Sequence, residues 1–288
     1  MNKNFLYRTF NATILVVVMF IGVVSAEAQP NSTSEDKYVS PYSIEFTYSD
    51  AELIGDILSG ERGNPKLESD IPYSQWDSEH VRKSYGAWGP TMRSYHEPES
   101  AKTATIQWKQ QRLIAVARRF IGYKYQHHHI PDWQPPENWP WLAIKNSYNS
   151  KGVDCSNFTT FYYSQALGIR LNGEIVTQSK TQSAPITGTD KTIQPIVISA
   201  SSDFAELTSQ LETGDLLYIQ SRNKVVHVIT WIGKIGKSPD NNYLVIDSTG
   251  DGHLDANHVS IPDGVHLRPF TKESWYFKGF DHALRFVY

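Results

Sequence analysis

The only cysteine of this 288-residue chain is Cys155, in the segment Asp154-Cys155-Ser156 at the predicted start of a helix. A single cysteine cannot form an internal disulfide, and the N-terminus of a helix favours the thiolate over the thiol. The thiolate is the nucleophilic form of cysteine. Cys155 is therefore the leading candidate for a catalytic nucleophile.

A thiol nucleophile needs a neighbouring base, and the base needs a third group to orient it. His227 interrupts an otherwise apolar stretch, residues 225–231, which predicts a strand with the imidazole on one defined face. The next predicted strand, residues 243–247, ends in Asp247. If the two strands pair as a hairpin, alternation places His227 and Asp247 on the same face. Together these residues predict a triad; a buried core histidine is the alternative for His227 alone.

The elements that must hold these side chains follow from hydrophobic periodicity and turn signals. Helices are expected first and antiparallel strands after them, which is typical of the α+β class. Residues 178–203 are rich in Ser, Thr and Gln and are predicted to form a surface insertion. The predicted helices cover residues 50–58, with a capping box from Ser49 to Glu52, and then about 77–87, 100–121 and 155–167. The predicted strands cover residues 216–219, 225–232, 243–247, 258–261 and 283–287.

The first 28 residues have the pattern of a signal peptide. Two basic residues precede an apolar run of eleven residues, 14–24, and small residues follow it. The run is shorter than the roughly 20 apolar residues of a transmembrane helix. We predict cleavage after Ala26 or Ala28, export to the periplasm or the outside, and no stable membrane span after processing. An uncleaved N-terminal anchor is the alternative.

Residues 29–100 are predicted to form an accessory region of unknown role, and residues 101–288 the catalytic domain. The formal net charge is −3, and the chain has no basic run that would bind phosphates. We therefore predict no nucleic-acid partner.

Four short motifs follow one another along the chain: Ile121-Gly122-Tyr123-Lys124-Tyr125, Asp154-Cys155-Ser156, Gly214-Asp215-Leu216 and His227-Val228-Ile229-Thr230-Trp231-Ile232-Gly233. They resemble the motifs of the NlpC family of papain-like cell-wall cysteine peptidases. That family has Leu-Gly-x-x-Tyr at the end of a helix, Asp-Cys-Ser-Gly-Phe at the start of the next, Gly-Asp-Leu before a strand, and then His-Val-Gly-Ile-Tyr-x-Gly. The resemblance covers roughly residues 101 to 288.

This resemblance implies a papain-like cysteine peptidase fold, with N-terminal helices packed on an antiparallel sheet. It implies hydrolysis of amide bonds in peptidoglycan stem peptides, commonly between D-glutamate and a diamino acid, without a cofactor. Cys155 would be the nucleophile, His227 the general base and acid, and Asp247 the orienting group. Tyr125 would assist the oxyanion together with the backbone N–H of Cys155. The predicted partner is peptidoglycan or a muropeptide.

Substrate contacts are predicted on both sides of the nucleophile. Asp154 and Ser156 flank it directly, and His127 and Trp133 lie in the loop that follows Tyr125. Four prolines between residues 123 and 151 predict that this loop is extended. Trp133, Trp139 and Trp141 are candidates either to line the cleft or to pin the loop to the domain.

Three positions depart from the family pattern. Asn157 replaces a common Gly, residues 126–129 read Gln-His-His-His where Trp-Gly-Gly is common, and the orienting position more often holds His than Asp. An acid or an amide is chemically sufficient there, because it only has to accept a hydrogen bond from the imidazole. A zinc site is an alternative role for the three successive histidines, with Asp132 as a further ligand. A complete ligand set is not visible in the sequence. We therefore predict no metal.

Two other functions remain open. The first is a CHAP-type amidase that cleaves between the sugar and the stem peptide, because its signature order is similar. The second is a non-catalytic wall-binding protein that kept the fold. Product analysis on purified peptidoglycan would distinguish a CHAP-type amidase from a stem-peptide peptidase. A Cys155 labelling rate near that of free cysteine would favour the non-catalytic binding protein.

Overall fold

The computed structural model of the chain describes residues 38–63, 67–136, 151–250 and 253–288. The predicted signal peptide, Trp139 and Trp141 lie outside the described residues. The helices are α1 (Asp50–Leu58), α2 (Glu79–Tyr85), α3 (Glu99–Lys102), α4 (Ile106–Ala117), α5 (Cys155–Leu167), α6 (Ile175–Ser179), α7 (Phe204–Gln210) and α8 (Trp275–Lys278). The strands are β1 (Ser43–Ile44), β2 (Ala184–Pro185), β3 (Thr192–Ile193), β4 (Ile196–Ser199), β5 (Leu216–Ser221), β6 (Lys224–Trp231), β7 (Gly236–Lys237), β8 (Tyr243–Thr249), β9 (His253–Leu254), β10 (Ser260–Ile261), β11 (Gly264–Phe270) and β12 (Phe280–Arg285).

Six of the strands form one antiparallel sheet in the order β11-β8-β6-β5-β12-β4. Its two faces are buried against different partners because side chains alternate along each strand. Tyr218, Val228 and Ile246 face the core that includes α4 and α5. Ile229 and Trp231 face a second core that also contains residues of α7 and α8. The predicted α+β class is confirmed, with helices packed on an antiparallel sheet.

Helix α5 begins at Cys155 because both of its ends are capped. The Asp154 side chain accepts a hydrogen bond of 2.8 Å from the Asn157 N–H, and Gly168 ends the helix in the left-handed conformation, with φ 72°. All thirteen residues of the helix are buried. Burial on every side fixes the helix axis, and therefore the place of its first residue, against the sheet.

The region before residue 101 shares this core. The predicted capping box at Ser49 is confirmed, and Leu53 of α1 is fully buried beside α4. Arg112 of α4 is buried; its guanidinium donates to both carboxylate oxygens of Asp56, at 2.9 and 2.6 Å, and to the Ala166 carbonyl at 2.7 Å. One side chain thus joins α1 and α4 to the last turn of the helix that begins with Cys155.

The structure corrects three sequence predictions. The helix expected over residues 100–121 is broken into α3 and α4, because Thr105 caps the N–H of Trp108 and starts a new helix. The expected surface insertion, residues 178–203, contains β4, which is an edge strand of the large sheet. Strand β11, residues 264–270, was not expected at all and pairs with β8 along its whole length.

Candidate active site

Cys155 occupies the first position of α5, where it is 6% exposed and unpaired with any other cysteine. The residue before the cap, Val153, is fixed to the sheet: the Ser248 hydroxyl donates to its carbonyl at 2.6 Å. The Val153 N–H donates to the Lys124 carbonyl at 3.1 Å. The start of the helix is therefore held between β8 and the chain segment that follows α4.

His227 and Asp247 meet as the predicted hairpin requires. Strands β6 and β8 pair with Thr230 opposite Ile246, so that the residues of matched parity share a face. The His227 Nε2 lies 2.6 Å from the Asp247 Oδ2, and both side chains are buried. The Cys155 side chain acts on the same imidazole and raises its pKa. The ring therefore interacts with both the thiol and the carboxylate.

Two residues that sequence reasoning missed also hold Asp247. The Arg268 Nη1 donates to the Oδ1 of Asp247 at 2.8 Å, and the Tyr276 hydroxyl donates to the Oδ2 at 2.7 Å. The Tyr276 ring stacks on His227 with an interplanar angle of 12°, and the Trp275 ring lies 5.4 Å from it, centroid to centroid. The carboxylate is thus surrounded by hydrogen-bond donors only.

The charges of the site stabilise one another. Burial lowers the pKa of His227, but the negative charge of Cys155 and the bond to Asp247 outweigh it and raise that pKa to about 10. Burial raises the pKa of Asp247, but the Arg268 charge and the donors His227 and Tyr276 lower it to about 2. The arrangement favours a protonated His227 ring beside an ionised Asp247.

We expect the pKa of His227 to fall in a Cys155→Ser variant, because the charge of Cys155 is the largest effect that raises it. Nuclear magnetic resonance of ¹⁵N-labelled histidine rings across a pH titration measures this. His266 is the internal control: burial and Arg268 lower its pKa to about 4, and Cys155 is not among the causes. An unchanged His227 titration would mean that the thiol does not act on the ring.

The two residues that flank Cys155 both form hydrogen bonds within the protein. Asp154 caps α5 and also lies 2.9 Å from the Nδ1 of His127. The Ser156 hydroxyl donates to the Gly173 carbonyl at 2.7 Å, and the residue is buried. Their contact with substrate stays a prediction. In the structure, both residues stabilise the start of α5.

The three successive histidines point to different surroundings. His127 contacts Asp154, His128 is buried with its ring 5.0 Å from Trp133, and His129 lies 3.1 Å from the Gly89 carbonyl. Burial lowers the pKa of His128 to about 4. Within the described ranges, no three metal-ligating side chains come together.

The accessory region contacts this histidine loop at several points, and the Trp88 ring makes two of the contacts. Trp88 lies 4.7 Å from the His127 ring, edge to face, and stacks on His129 at 5.8 Å. Neither contact had a sequence signal, because Trp88 is about forty residues earlier in the chain. Residues before 101 therefore support the loop that follows Tyr125.

Tyr125 and Trp133 occupy different environments in this loop. The Tyr125 ring is partly exposed and lies 5.3 Å from the His127 ring. Its neighbours Lys124 and Gln126 form backbone hydrogen bonds with Val153, so Tyr125 passes directly beside the start of α5. Trp133 is buried in a separate cluster with Trp76, a position that pins the loop.

The Asp of the Gly-Asp-Leu motif has a structural place. Asp215 is buried, and both of its carboxylate oxygens accept hydrogen bonds of 2.8 Å from Arg285 on β12. Burial raises the pKa of Asp215, although Arg285 opposes this effect. The pair ties the start of β5 to the last strand and lies apart from His227.

The described part of the chain contains no helix with the length and apolarity needed to cross a bilayer.

Residues 141–275 match the model of the family described as NlpC/P60. The matched segment contains Cys155, His227, Asp247 and Arg268, and it confirms the resemblance predicted from the sequence motifs. No curated protein matches the chain.

Solved structures similar to this chain include an NlpC/P60 family protein from Bacillus cereus ATCC 10987, with 18% identity and a TM-score of 0.36 over 62% of this chain and 40% of that one. The NlpC/p60 domain of the peptidoglycan hydrolase SagA has 21% identity and a TM-score of 0.33, over 61% of this chain and 97% of that one. A mutated form of the Resuscitation Promoting Factor Interacting protein RipA has 14% identity and a TM-score of 0.37, over 63% and 64%. The chain thus spans less than half of the Bacillus cereus protein.

Proposed function

We propose that this chain is an exported cysteine hydrolase that cleaves amide bonds in peptidoglycan stem peptides, because residues 141–275 match the NlpC/P60 family model. The nucleophile is Cys155, the general base and acid is His227, and the orienting group is Asp247. Both the peptidoglycan substrate and the amidase activity are part of the proposal.

The observation that carries the proposal is the position of the His227 ring. Its Nε2 is 2.6 Å from Asp247, and the only thiol of the chain, at the N-terminus of a buried helix, acts on the same ring and raises its pKa. A buried histidine that serves packing alone needs neither a thiol partner nor a carboxylate with further donors behind it. The three side chains come from three different elements, α5, β6 and β8, that the fold brings to one point.

Acylation follows from this geometry. The Cys155 sulfur attacks the carbonyl carbon of the scissile amide, and the electron pair of the C=O bond moves to oxygen. The backbone N–H of Cys155 at the helix N-terminus is placed to donate to that oxyanion. When the C–N bond breaks, the imidazolium of His227 gives its Nδ1 proton to the leaving amine, which departs as a neutral amine and leaves a thioester.

Deacylation uses the same ring in reverse. Neutral His227 accepts a proton from a water molecule, whose oxygen attacks the thioester carbonyl. The C–S bond then breaks, which restores the thiolate and the imidazolium, and the product leaves as a carboxylic acid that gives its remaining proton to solvent. Asp247 keeps the proton of Nε2 in place throughout, so that only the nitrogen beside Cys155 exchanges protons.

The test is digestion of defined muropeptides by the protein without residues 1–28, followed by mass spectrometry. We expect fragments that differ by the mass of part of a stem peptide, with the sugar still joined to its first amino acid. Release of the whole stem peptide from the sugar would identify the CHAP-type amidase instead. Intact muropeptides after long incubation, together with a Cys155 alkylation rate like that of free cysteine, would favour the non-catalytic binding protein.

The Tyr125→Phe variant should reduce turnover by ~100-fold with little change in substrate binding, the effect expected for loss of one donor to the oxyanion. The position of Tyr125 beside the start of α5 motivates the prediction. Steady-state kinetics on a cleaved muropeptide measures it.

Tyr123→Phe is the matched control. It removes a hydroxyl two residues earlier in the same loop, where the Tyr123 hydroxyl donates to Asp132 at 2.6 Å. The control should keep its turnover number. If both variants behave alike, or if Tyr125→Phe is fully active, Tyr125 serves packing and backbone N–H groups alone hold the oxyanion.

A further inference from the structure

Behind the proposed triad lies a buried cation that the mechanism does not use. Arg268 is 0% exposed and sits on β11, the strand that pairs with β8 so that Asp247 is opposite His266. Its Nη1 donates to the Asp247 Oδ1 at 2.8 Å. Its Nη2 donates to the carbonyls of Pro262 at 2.9 Å and Gly264 at 3.2 Å, which fix the direction of the guanidinium.

A buried guanidinium is stable only beside a charged partner, and Asp247 is the only carboxylate among its described hydrogen-bond and ion-pair partners. The cation cannot accept a hydrogen bond, and so it excludes a proton from the Oδ1 of Asp247. The hydroxyl of Tyr276 donates to the other oxygen, which also receives the bond from His227. The carboxylate is left with one role toward the imidazole, which is to accept a hydrogen bond from its Nε2–H.

We infer that Arg268 is a positioning residue for the proposed reaction: by holding Asp247 ionised and in one orientation, it fixes the protonated nitrogen of His227 as Nε2 and directs Nδ1 at Cys155. This inference rests on the proposed triad, but not on the identity of the substrate. Arg268 touches neither the thiol nor the cleaved bond; it acts through Asp247.

A consequence appears at acid pH. Burial raises the pKa of Asp247, and the charge of Arg268 is the largest effect that opposes it. Without that charge the carboxylate binds a proton at a higher pH, and a protonated Asp247 no longer favours the imidazolium beside the thiolate. The acid limb of Cys155 reactivity should therefore move to higher pH when Arg268 is neutralised.

Alkylation of Cys155 by iodoacetamide tests this without any peptidoglycan substrate, because the chain has a single cysteine. We expect Arg268→Gln to raise the midpoint of the acid limb by about one pH unit or more, which is roughly tenfold slower alkylation on the acid side. Arg268→Lys keeps a cation and should stay close to the native midpoint. An equal shift in the Lys and Gln variants, or none in Arg268→Gln, would overturn the inference.

Arg285→Gln is the matched control, since it breaks another Arg–Asp pair at the same sheet, between the partly buried Arg285 and the buried Asp215. It should lower thermal stability as Arg268→Gln does, and leave the midpoint of alkylation where it is in the native protein. A shift in the control equal to that of Arg268→Gln would mean that the midpoint reports stability alone.

A double-mutant cycle with Asp247→Asn covers the case in which Arg268→Gln does not fold, because the double variant buries no unpaired charge. If Arg268 acts through Asp247, adding Arg268→Gln to Asp247→Asn should leave the alkylation midpoint unchanged. A further rise of a pH unit in that background would place the effect elsewhere. If the alkylation midpoints shift as expected but the native protein cleaves no muropeptide, the result counts against the proposed function and supports the positioning role of Arg268.

Discussion

The Cys155→Ala variant should lose muropeptide hydrolysis by several powers of ten while keeping its fold. The residue is the only thiol of the chain and the partner of the His227 ring, and removal of one member of a catalytic unit costs nearly as much as removal of all. Hydrolysis rates of a defined muropeptide, measured by mass spectrometry with native and variant protein at equal concentration, provide the test.

Circular dichroism and thermal unfolding supply the control for Cys155→Ala. Cys155 is small and lies at the first position of α5, so its truncation to Ala should change stability by only about 1 kcal/mol. Native protein alkylated by iodoacetamide should be equally inactive. A folded variant that keeps most of the turnover would remove Cys155 from the mechanism.

Local signals in the sequence were sufficient for the elements that carry the proposed nucleophile and base. The helix predicted over residues 155–167 is α5 to the residue, and in the structure the cap at Asp154 and the Gly168 stop fix its ends, each within one turn. Period-two alternation predicted β6 and β8, and it also predicted that His227 and Asp247 share a face. Such signals depend only on residues that are close in the sequence, and they can therefore be recognised without knowledge of the fold.

Strand β11 was missed because its sequence does not look like a strand. Residues 264–270 contain His266, Arg268 and Pro269, all of which are uncommon in a buried strand, and Pro cannot donate to a ladder. The structure compensates by pairing the strand with β8 alone, at the edge of the sheet. One of the residues that made the strand hard to predict, Arg268, donates the hydrogen bond to Asp247.

The surroundings of the site could not be predicted for a different reason. Tyr276 is 29 residues from Asp247, and Trp88 is about forty residues from the histidine loop it contacts. Neither stands in a periodic pattern that points to a partner, and one sequence contains no information on such distant pairs. The accessory region therefore had no predicted role, although its α1 shares the core with α4 and its Trp88 packs on the loop beside Cys155.

The Asp247→Asn variant should reduce kcat by roughly 10³ to 10⁴-fold, although the side chain keeps its size. Arg268 donates to the Oδ1 position, so the amide must place its carbonyl oxygen there and its NH₂ group toward His227. An NH₂ group donates a hydrogen bond to Nε2, which forces the proton of the neutral ring onto the nitrogen that faces Cys155. The base then cannot accept a proton from the thiol.

Two measurements separate this tautomer effect from a loss of stability. Nuclear magnetic resonance of the ¹⁵N-labelled His227 ring should show the proton on Nε2 in the neutral ring of native protein and on Nδ1 in Asp247→Asn. Asp215→Asn is the matched control, because Asp215 is also buried in the sheet and paired with an arginine, yet lies apart from the site. We expect that control to unfold at lower temperature and to keep its kcat. If Asp247→Asn retains activity within about tenfold of native, with the proton still on Nε2, an amide is as good an orienting group as the carboxylate, and the charge that Arg268 stabilises has no part in the reaction.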